Sequence, residues 1–279
     1  LAELYDECLE AGEGTPLMRR AVVSLVHKKG SRETWKNYRP LSVSSTEYKV
    51  LSKCMQLALD DELQHVISPS QLGFQRSKYI GEATALVQLL AKYLDQRDEP
   101  GLMLMLDGQS AYDFVQLDWL DDVMQAMGFP ASYRAMVSML YRRSELRMKV
   151  NGVVGDPFNP WNGVKQGCAL SPCLYILSLQ PLLDALEAPS SGVPGIRVPN
   201  PLGAQGVRGE ARVICYADDS TIFLRSFAGL AVVGPLMDTY HLAAGAATNW
   251  SKTEGLRLGS LRGCQPGAAN SAAGVGDLK

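Results

Sequence analysis

No apolar run in this 279-residue chain approaches the roughly 18 residues that a membrane span needs; residues 102–106 are far too few. Charge of one sign is not in excess either. There are 27 Lys and Arg against 29 Asp and Glu, a formal net charge of −2, so the overall charge gives no sign of a polyanionic partner. The six cysteines, at 8, 54, 168, 173, 215 and 264, include no CxxC pair. Cys168 and Cys173 are too far apart for a zinc knuckle, and His27, His65 and His241 are scattered. That excludes the common zinc-binding patterns and reads as reduced core thiols. Residues 1–14 are acidic and lack a charged start before an apolar stretch, so they do not read as a secretory signal. With 46% hydrophobic and 20% charged residues the chain is neither collagen-like, coiled-coil nor wholly disordered. It is long enough for one large domain or two small ones with a proper core.

What is present is organised. Residues 17–54 hold nine Lys or Arg against Glu33 and Glu47, a local excess of seven positive charges. Residues 21–26 read as a strand closed by the turn Lys28-Lys29-Gly30-Ser31, giving a basic tip. Ser44-x-x-Glu47 resembles a capping box ahead of a helix that stops near Ser68-Pro69. Helical spacing recurs over 81–94, 117–127, 132–141, 171–186 and 230–244. Residues 101–106 are continuously apolar between Pro100 and Asp107, which suits a strand buried on both faces. Asn151-Gly152 marks a hairpin. Residues 187–209 read as a Gly- and Pro-rich loop with a short strand at 196–198. Residues 211–216 and 220–224 are β-rich arms around Ala217-Asp218-Asp219, and a last strand is expected at 255–258.

Two features carry chemistry. Asp107 ends a buried strand, and Asp218-Asp219 sits in the turn of an apolar hairpin. Taken singly these are ordinary: a turn favours aspartate, and an aspartate after a strand commonly caps a helix. Together they imply more. Carboxylates beside apolar strands cost desolvation energy unless something neutralises them. If the two segments are neighbours, Asp107 and Asp218 converge. Hard oxygen donors with few protein partners suit Mg²⁺, and two such ions about 3.5–4 Å apart clamp both oxygens of a phosphoryl transfer.

The ordered motifs resemble the reverse transcriptase domain of non-LTR (LINE-type) retrotransposons, over about residues 17–259. They are Lys28-Lys29-Gly30, Asn37-Tyr38-Arg39-Pro40-Leu41, Ser68-Pro69-Ser70-Gln71-Leu72-Gly73-Phe74, and Asp107 with Ala111-Tyr112-Asp113. Asn151-Gly152, Val164-Lys165-Gln166-Gly167-Cys168-Ala169-Leu170-Ser171-Pro172, Tyr216-Ala217-Asp218-Asp219 and Asn249-Trp250-Ser251-Lys252 complete the series. The Gln-Gly-Cys-x-Leu-Ser-Pro block is the most specific.

The resemblance implies an α+β polymerase palm-and-fingers fold, with an antiparallel palm sheet backed by helices and the thumb absent. It implies an RNA-directed DNA polymerase using two Mg²⁺ held by Asp107 and Asp218, with Asp219 beside them. The main-chain carbonyl of Leu106 or Gly108 would complete a metal shell. Lys28, Lys29 and Arg39 would meet the dNTP triphosphate, Arg being suited by its planar fork. Tyr112 would floor the deoxyribose and exclude a 2′-OH; on bare sequence it reads more readily as a core tyrosine, and its placement five residues past Asp107 reverses that. Gln166 and Gly167 would meet base and sugar, and Lys252 the departing pyrophosphate. Arg76 would touch template or nucleotide. The expected division is a partial N-terminal helix over 1–16, fingers and palm over 17–259 and a disordered tail over 260–279. The start at Leu1 reads as a fragment of a longer protein, with endonuclease and thumb regions in the parent. An RNA template, a DNA primer and an intracellular setting, nucleus or cytoplasm, follow from the family.

Departures are Gly-Gln-Ser at 108–110, Ala169 for the usual proline and Ala246-Ala247-Thr248 before Asn249. None removes a carboxylate. The rival reading is an inactive retrotransposon remnant that at most binds nucleic acid. A group II intron or retron enzyme and an RNA-dependent RNA polymerase are more distant, the latter disfavoured by Tyr112.

Overall fold

The apolar spacing of the chain becomes eight helices and ten strands in a computed structural model that describes residues 1–108, 112–199 and 207–264. The first part holds α1 (Ala2–Ala11), α2 (Pro16–Arg19), β1 (Arg20–His27), β2 (Tyr38–Ser44), α3 (Thr46–Val66), α4 (Ile80–Arg97) and β3 (Gly101–Leu106). The middle holds α5 (Leu117–Ala126), α6 (Ala131–Tyr141), β4 (Glu145–Val150), β5 (Val153–Phe158) and α7 (Ser171–Glu187). The last part holds β6 (Ile196–Pro199), β7 (Val207–Ala211), β8 (Val213–Tyr216), β9 (Asp219–Leu224), α8 (Leu230–Ala244) and β10 (Glu254–Leu258). Among the described residues no helix is long and apolar enough to cross a membrane.

These elements form two units. One comprises Leu1–Val66 and Tyr112–Ser178, the other Ile67–Ala111 and Leu179–Lys279. The first is built on a sheet of order β2-β1-β4-β5. β1 pairs antiparallel with β2 and parallel with β4, in the register Ala21↔Ser44 and Ala21↔Leu146. Strand alternation puts Ala21, Val23 and Leu146 on the buried face, with Met148 against them. Asn151 and Gly152 close the β4–β5 hairpin with φ of 51° and 85°, the positive values an Asn-Gly turn supplies cheaply. Buried Tyr48 and Leu51 lie on α3. Tyr5 on α1 donates to the Glu47 carbonyl at 3.0 Å, and Tyr133 on α6 to that of Met55 at 3.2 Å.

The capping residue of α3 differs from expectation by one position. Ser44 is the last residue of β2, and it is Ser45 whose Oγ accepts from the Tyr48 amide at 3.3 Å. With the helix starting at Thr46, Ser45 is the residue whose oxygen lies three positions before a first-turn amide, the spacing a cap needs.

The second unit holds the antiparallel sheet β10-β3-β9-β8. β3 is central, and its two parities, Met103 and Leu102 with Leu104, are all buried, as its uninterrupted apolar run requires. On one face Met103, Ile214, Phe223 and Leu258 pack with Leu90 and Leu94 of α4. A separate antiparallel pair joins β6 to β7. β7 starts inside the stretch read as loop, because Val207-Arg208-Gly209-Glu210-Ala211 has no apolar alternation to announce it. Where the segment read as tail begins, residues 259–261 form a 3₁₀ turn; residues 265–279 lie outside the described residues.

Candidate active site

Asp107 is the first residue after β3. Leu106 pairs with Ser220, and Tyr216 with Asp219 across the β8–β9 hairpin. Asp107 therefore leaves the sheet one position past the last β3–β9 pair, at the end where β9 begins at Asp219 and Ala217-Asp218 form the turn. Asp107 is half-buried; Asp218 and Asp219 are exposed. The neighbouring strands required for the two aspartate segments to meet are thus in place.

The turn is not a relaxed one. Ala217 has φ of 59°, a left-handed value that costs a residue with a Cβ about 1–2 kcal/mol. Gln71 holds it there. The Gln71 side chain is fully buried, and its Oε1 accepts from the Ala217 amide at 2.9 Å and the Gly73 amide at 2.8 Å. Its Nε2 donates to the Ala217 carbonyl at 3.1 Å. The same segment covers the outer edge of β8: Leu72 donates to the Cys215 carbonyl and Cys215 to that of Ser70, both at 2.8 Å. A Cβ on Gly73 would lie 2.3 Å from the Ala217 nitrogen, so only glycine admits this approach. The sequence pattern carried Gln71 and Gly73 inside a motif without giving either a task.

Lys252 reaches the same place from the other side of the sheet. The Asn249 amide donates to the Asp107 carbonyl at 2.8 Å, and Gly108 bridges to Thr248. The Lys252 and Thr253 amides both donate to the Asn249 carbonyl at 3.0 Å, closing a turn. Lys252 Nζ then lies 3.1 Å from Asp107 Oδ2. Both side chains are solvent-accessible, so the pair contributes little to stability. Among the described residues no three His, Cys, Asp or Glu side chains form a ready cage. Mg²⁺ does not need one: it binds through one or two carboxylates and completes its shell with water and substrate phosphate. Asp107 and Asp218 fit that donor set.

Lys28, Lys29, Arg39, Tyr112, Gln166 and Gly167 belong to the first unit. Lys28 and Lys29 are exposed beyond the end of β1, where the Lys28 amide donates to the Asn37 carbonyl at 2.8 Å. Gly30, at φ 80°, packs against the Asn37 side chain. Arg39 is exposed on β2 opposite Val26. Further along β2, the Ser42 amide donates to the Gln166 carbonyl at 2.8 Å, docking the Gln166-Gly167 loop on that edge. Gly167 has φ of 104°, and a Cβ there would meet the Ser42 carbonyl at 2.9 Å. Gln166 Nε2 donates to Asp113 Oδ1 at 3.2 Å, and the Val164 amide to the Tyr112 carbonyl at 2.8 Å. Burial raises the Asp113 carboxyl, partly offset by the Gln166 bond. The Tyr112 ring stacks on Tyr175, centroids 5.3 Å apart and 13° from parallel. The structure therefore joins Tyr112, Gln166 and Gly167 to β2, with the two lysines further out on the hairpin. Ala111, with Gln109 and Ser110, lies outside the described residues.

Beneath that loop is a cluster the sequence reading did not foresee. Lys165 is buried, donates to the Leu140 carbonyl at 3.0 Å and sits 4.0 Å over the Tyr48 ring and 5.6 Å from that of Tyr141. Burial pulls its ammonium down to about 8, against a smaller opposing effect of Cys168. Burial works against a thiolate at Cys168, but bonds from Tyr141, Tyr48 and the backbone at Leu170 and Ser171 outweigh it and lower the thiol. Burial drives both tyrosines well above their ordinary value. A lysine between Val164 and Gln166-Gly167 ordinarily reads as surface charge.

The chain belongs to the reverse transcriptase (RNA-dependent DNA polymerase) family, whose model matches residues 26–266. Within the family it is related to non-LTR retrotransposons. It is 31% identical over 258 residues to the transposon TX1 uncharacterized 149 kDa protein of Xenopus laevis, covering 92% of this chain and 19% of that protein. It is 25% identical over 197 residues to the retrovirus-related Pol polyprotein from type-2 retrotransposable element R2DM of Drosophila melanogaster, covering 71% of this chain and 17% of that one. The chain thus spans about a fifth of the length of these relatives. In fold it is similar to apo telomerase from Candida tropicalis, with a TM-score of 0.60, 12% identity, and coverage of 95% of this chain and 50% of that chain. A form of that telomerase truncated from its C-terminal domain gives 0.57, with coverage of 91% and 54%.

Proposed function

We propose that this chain is an RNA-directed DNA polymerase domain that joins a dNTP to a primer 3′-OH on an RNA template. The observation that carries it is the pairing of β3 with β9, which brings Asp107 to the same end of one sheet as the Asp218-Asp219 turn. In this reading the second unit's sheet is the palm and the first unit's the fingers. Asp107 and Asp218 hold two Mg²⁺ ions, with Asp219 beside them. When bound, these ions supply charge neutralisation at the attacking and leaving oxygens. Lys252, released from Asp107, neutralises or protonates the departing pyrophosphate. Arg39, Lys28 and Lys29 hold the triphosphate through charge-assisted bonds. Tyr112, backed by Tyr175, floors the sugar, while Gln166-Gly167 lets backbone approach the nucleotide. Positioning and fixed charge supply most of the rate, as in phosphoryl transfer generally.

The test is extension of a DNA primer on an RNA template with dNTPs or rNTPs in parallel. The expected result is incorporation of dNTPs only, with Tyr112→Ala admitting rNTPs. Preference for rNTPs in the unaltered protein would contradict the proposal and favour an RNA polymerase.

A further inference from the structure

We infer that Gln71 is a positioning residue for this centre: its buried carboxamide sets the conformation of the Ala217-Asp218 turn and so the aim of the Asp218 carboxylate. The inference rests on the proposed polymerase reading for its kinetic consequence, but its structural content stands apart from it.

The argument is one of matching donors and acceptors. The turn leaves both peptide groups of Ala217 pointing into a buried space, and the Gly73 amide beside them. A carboxamide offers one oxygen able to accept twice and a nitrogen that donates. Gln71 uses all three: two amides on Oε1 at 2.9 and 2.8 Å, and the Ala217 carbonyl on Nε2 at 3.1 Å. Gripping the amide and the carbonyl of one residue fixes both of its torsions. Here it fixes them at a positive φ that alanine otherwise avoids, one bond from Asp218. Leucine fills the same volume with none of these bonds. Glutamate keeps the accepting oxygen and loses the donor.

Gln71 itself is anchored independently of the turn. It bridges to Cys215, and its neighbours Ser70 and Leu72 are laddered to that residue. On its far side the Ser68 amide donates to Gln180 Oε1 at 2.9 Å, and Ser68 Oγ to Glu187 Oε2 at 2.6 Å. The segment is therefore a fixed support from which one side chain reaches the turn. Ser68→Ala removes the Glu187 bond but keeps the Ser68 amide on Gln180 and the Ser70 and Leu72 bonds to Cys215, so the support holds and Ala217 is untouched.

The experiment compares the unaltered protein with Gln71→Leu and Ser68→Ala. Steady-state primer extension, Mn²⁺ affinity by electron paramagnetic resonance and hydrogen exchange at the Ala217 amide are read together. Gln71→Leu is expected to lower kcat by about 10²-fold, the cost typical of an ångström-scale misplacement. The dNTP KM stays within about twofold, because the triphosphate contacts lie elsewhere. Mn²⁺ binding weakens and Ala217 exchange quickens. Ser68→Ala leaves kcat and Mn²⁺ affinity unchanged. If Gln71→Leu does not fold, Gln71→Glu replaces it, with a smaller loss in the same quantities. Unchanged Ala217 exchange and Mn²⁺ affinity in the Gln71 variant overturn the inference, as does an equal kcat loss in Ser68→Ala. Should the unaltered protein extend no primer, the polymerase reading fails, and exchange and Mn²⁺ affinity alone decide the role of Gln71.

Discussion

Replacing Lys165 by Met should change how stability depends on pH, by an amount the structure sets. The lysine is 7% exposed, and burial brings its ammonium to about 8 from 10.5. A folded-state value below the unfolded one means that the unfolded chain still holds a proton at pH 8–10.5 that the folded chain has given up. Stability therefore rises with pH through that window, and below pH 8 the cost of burying the charge is fully present. At about 1.4 kcal/mol per pH unit, the gain between pH 7 and pH 10 is on the order of 2–3 kcal/mol. Cys168, lowered from 9.0, acts in the same direction below pH 9. Tyr48 and Tyr141, raised well above 10, act oppositely above pH 10. All three remain in Lys165→Met, so the difference between the two proteins reports the lysine together with its coupling to Cys168. Urea unfolding at pH 7, 8, 9 and 10 should show the unaltered protein gaining on the variant, by on the order of 2–3 kcal/mol. Parallel curves would mean that Lys165 keeps an ordinary ammonium, and the buried-charge reasoning would fall.

Other outcomes follow from the same geometry. Gly73→Ala puts a Cβ 2.3 Å from the Ala217 nitrogen, so backbone must shift; urea unfolding should show a loss of about 1–3 kcal/mol, with primer extension falling in parallel. Arg134 grips Asp121 with two bonds, of 2.9 and 2.5 Å, and the Arg134 bond is what holds that carboxyl low. Its contribution is present above the ordinary carboxylate range and lost as pH falls through the lowered value, so Asp121→Asn should flatten the acid limb of unfolding. Both groups are solvent-accessible, and the effect should shrink in high salt.

Much of this was legible because it depends on local pattern. A six-residue apolar run is too short for a helix of its own and suits a doubly buried strand, and residues 101–106 form β3. Asn151-Gly152 could hardly be anything but a hairpin turn. The aspartates stood out because carboxylates beside apolar strands demand a reason. What was not legible is long-range. The parallel pairing of β1 with β4 joins residues 20–24 to 145–149, with no local signal for either partner. Gln71 gains meaning only once residue 217 is beside it. Lys165 carries a charge, and nothing in its neighbours announces two buried tyrosine rings around it. Ser45 displaced Ser44 as the cap because the strand ran one residue further than the capping pattern implied.

The central claim is that Asp107 and Asp218 form one phosphoryl-transfer centre. Its most direct test is primer extension on an RNA template with dNTPs and Mg²⁺, comparing the unaltered chain with Asp218→Asn. The account predicts extension by the unaltered chain and its abolition in the variant, with the fold and melting behaviour retained because Asp218 is exposed at a turn. Equal extension by both proteins, or none by the unaltered chain, would contradict it.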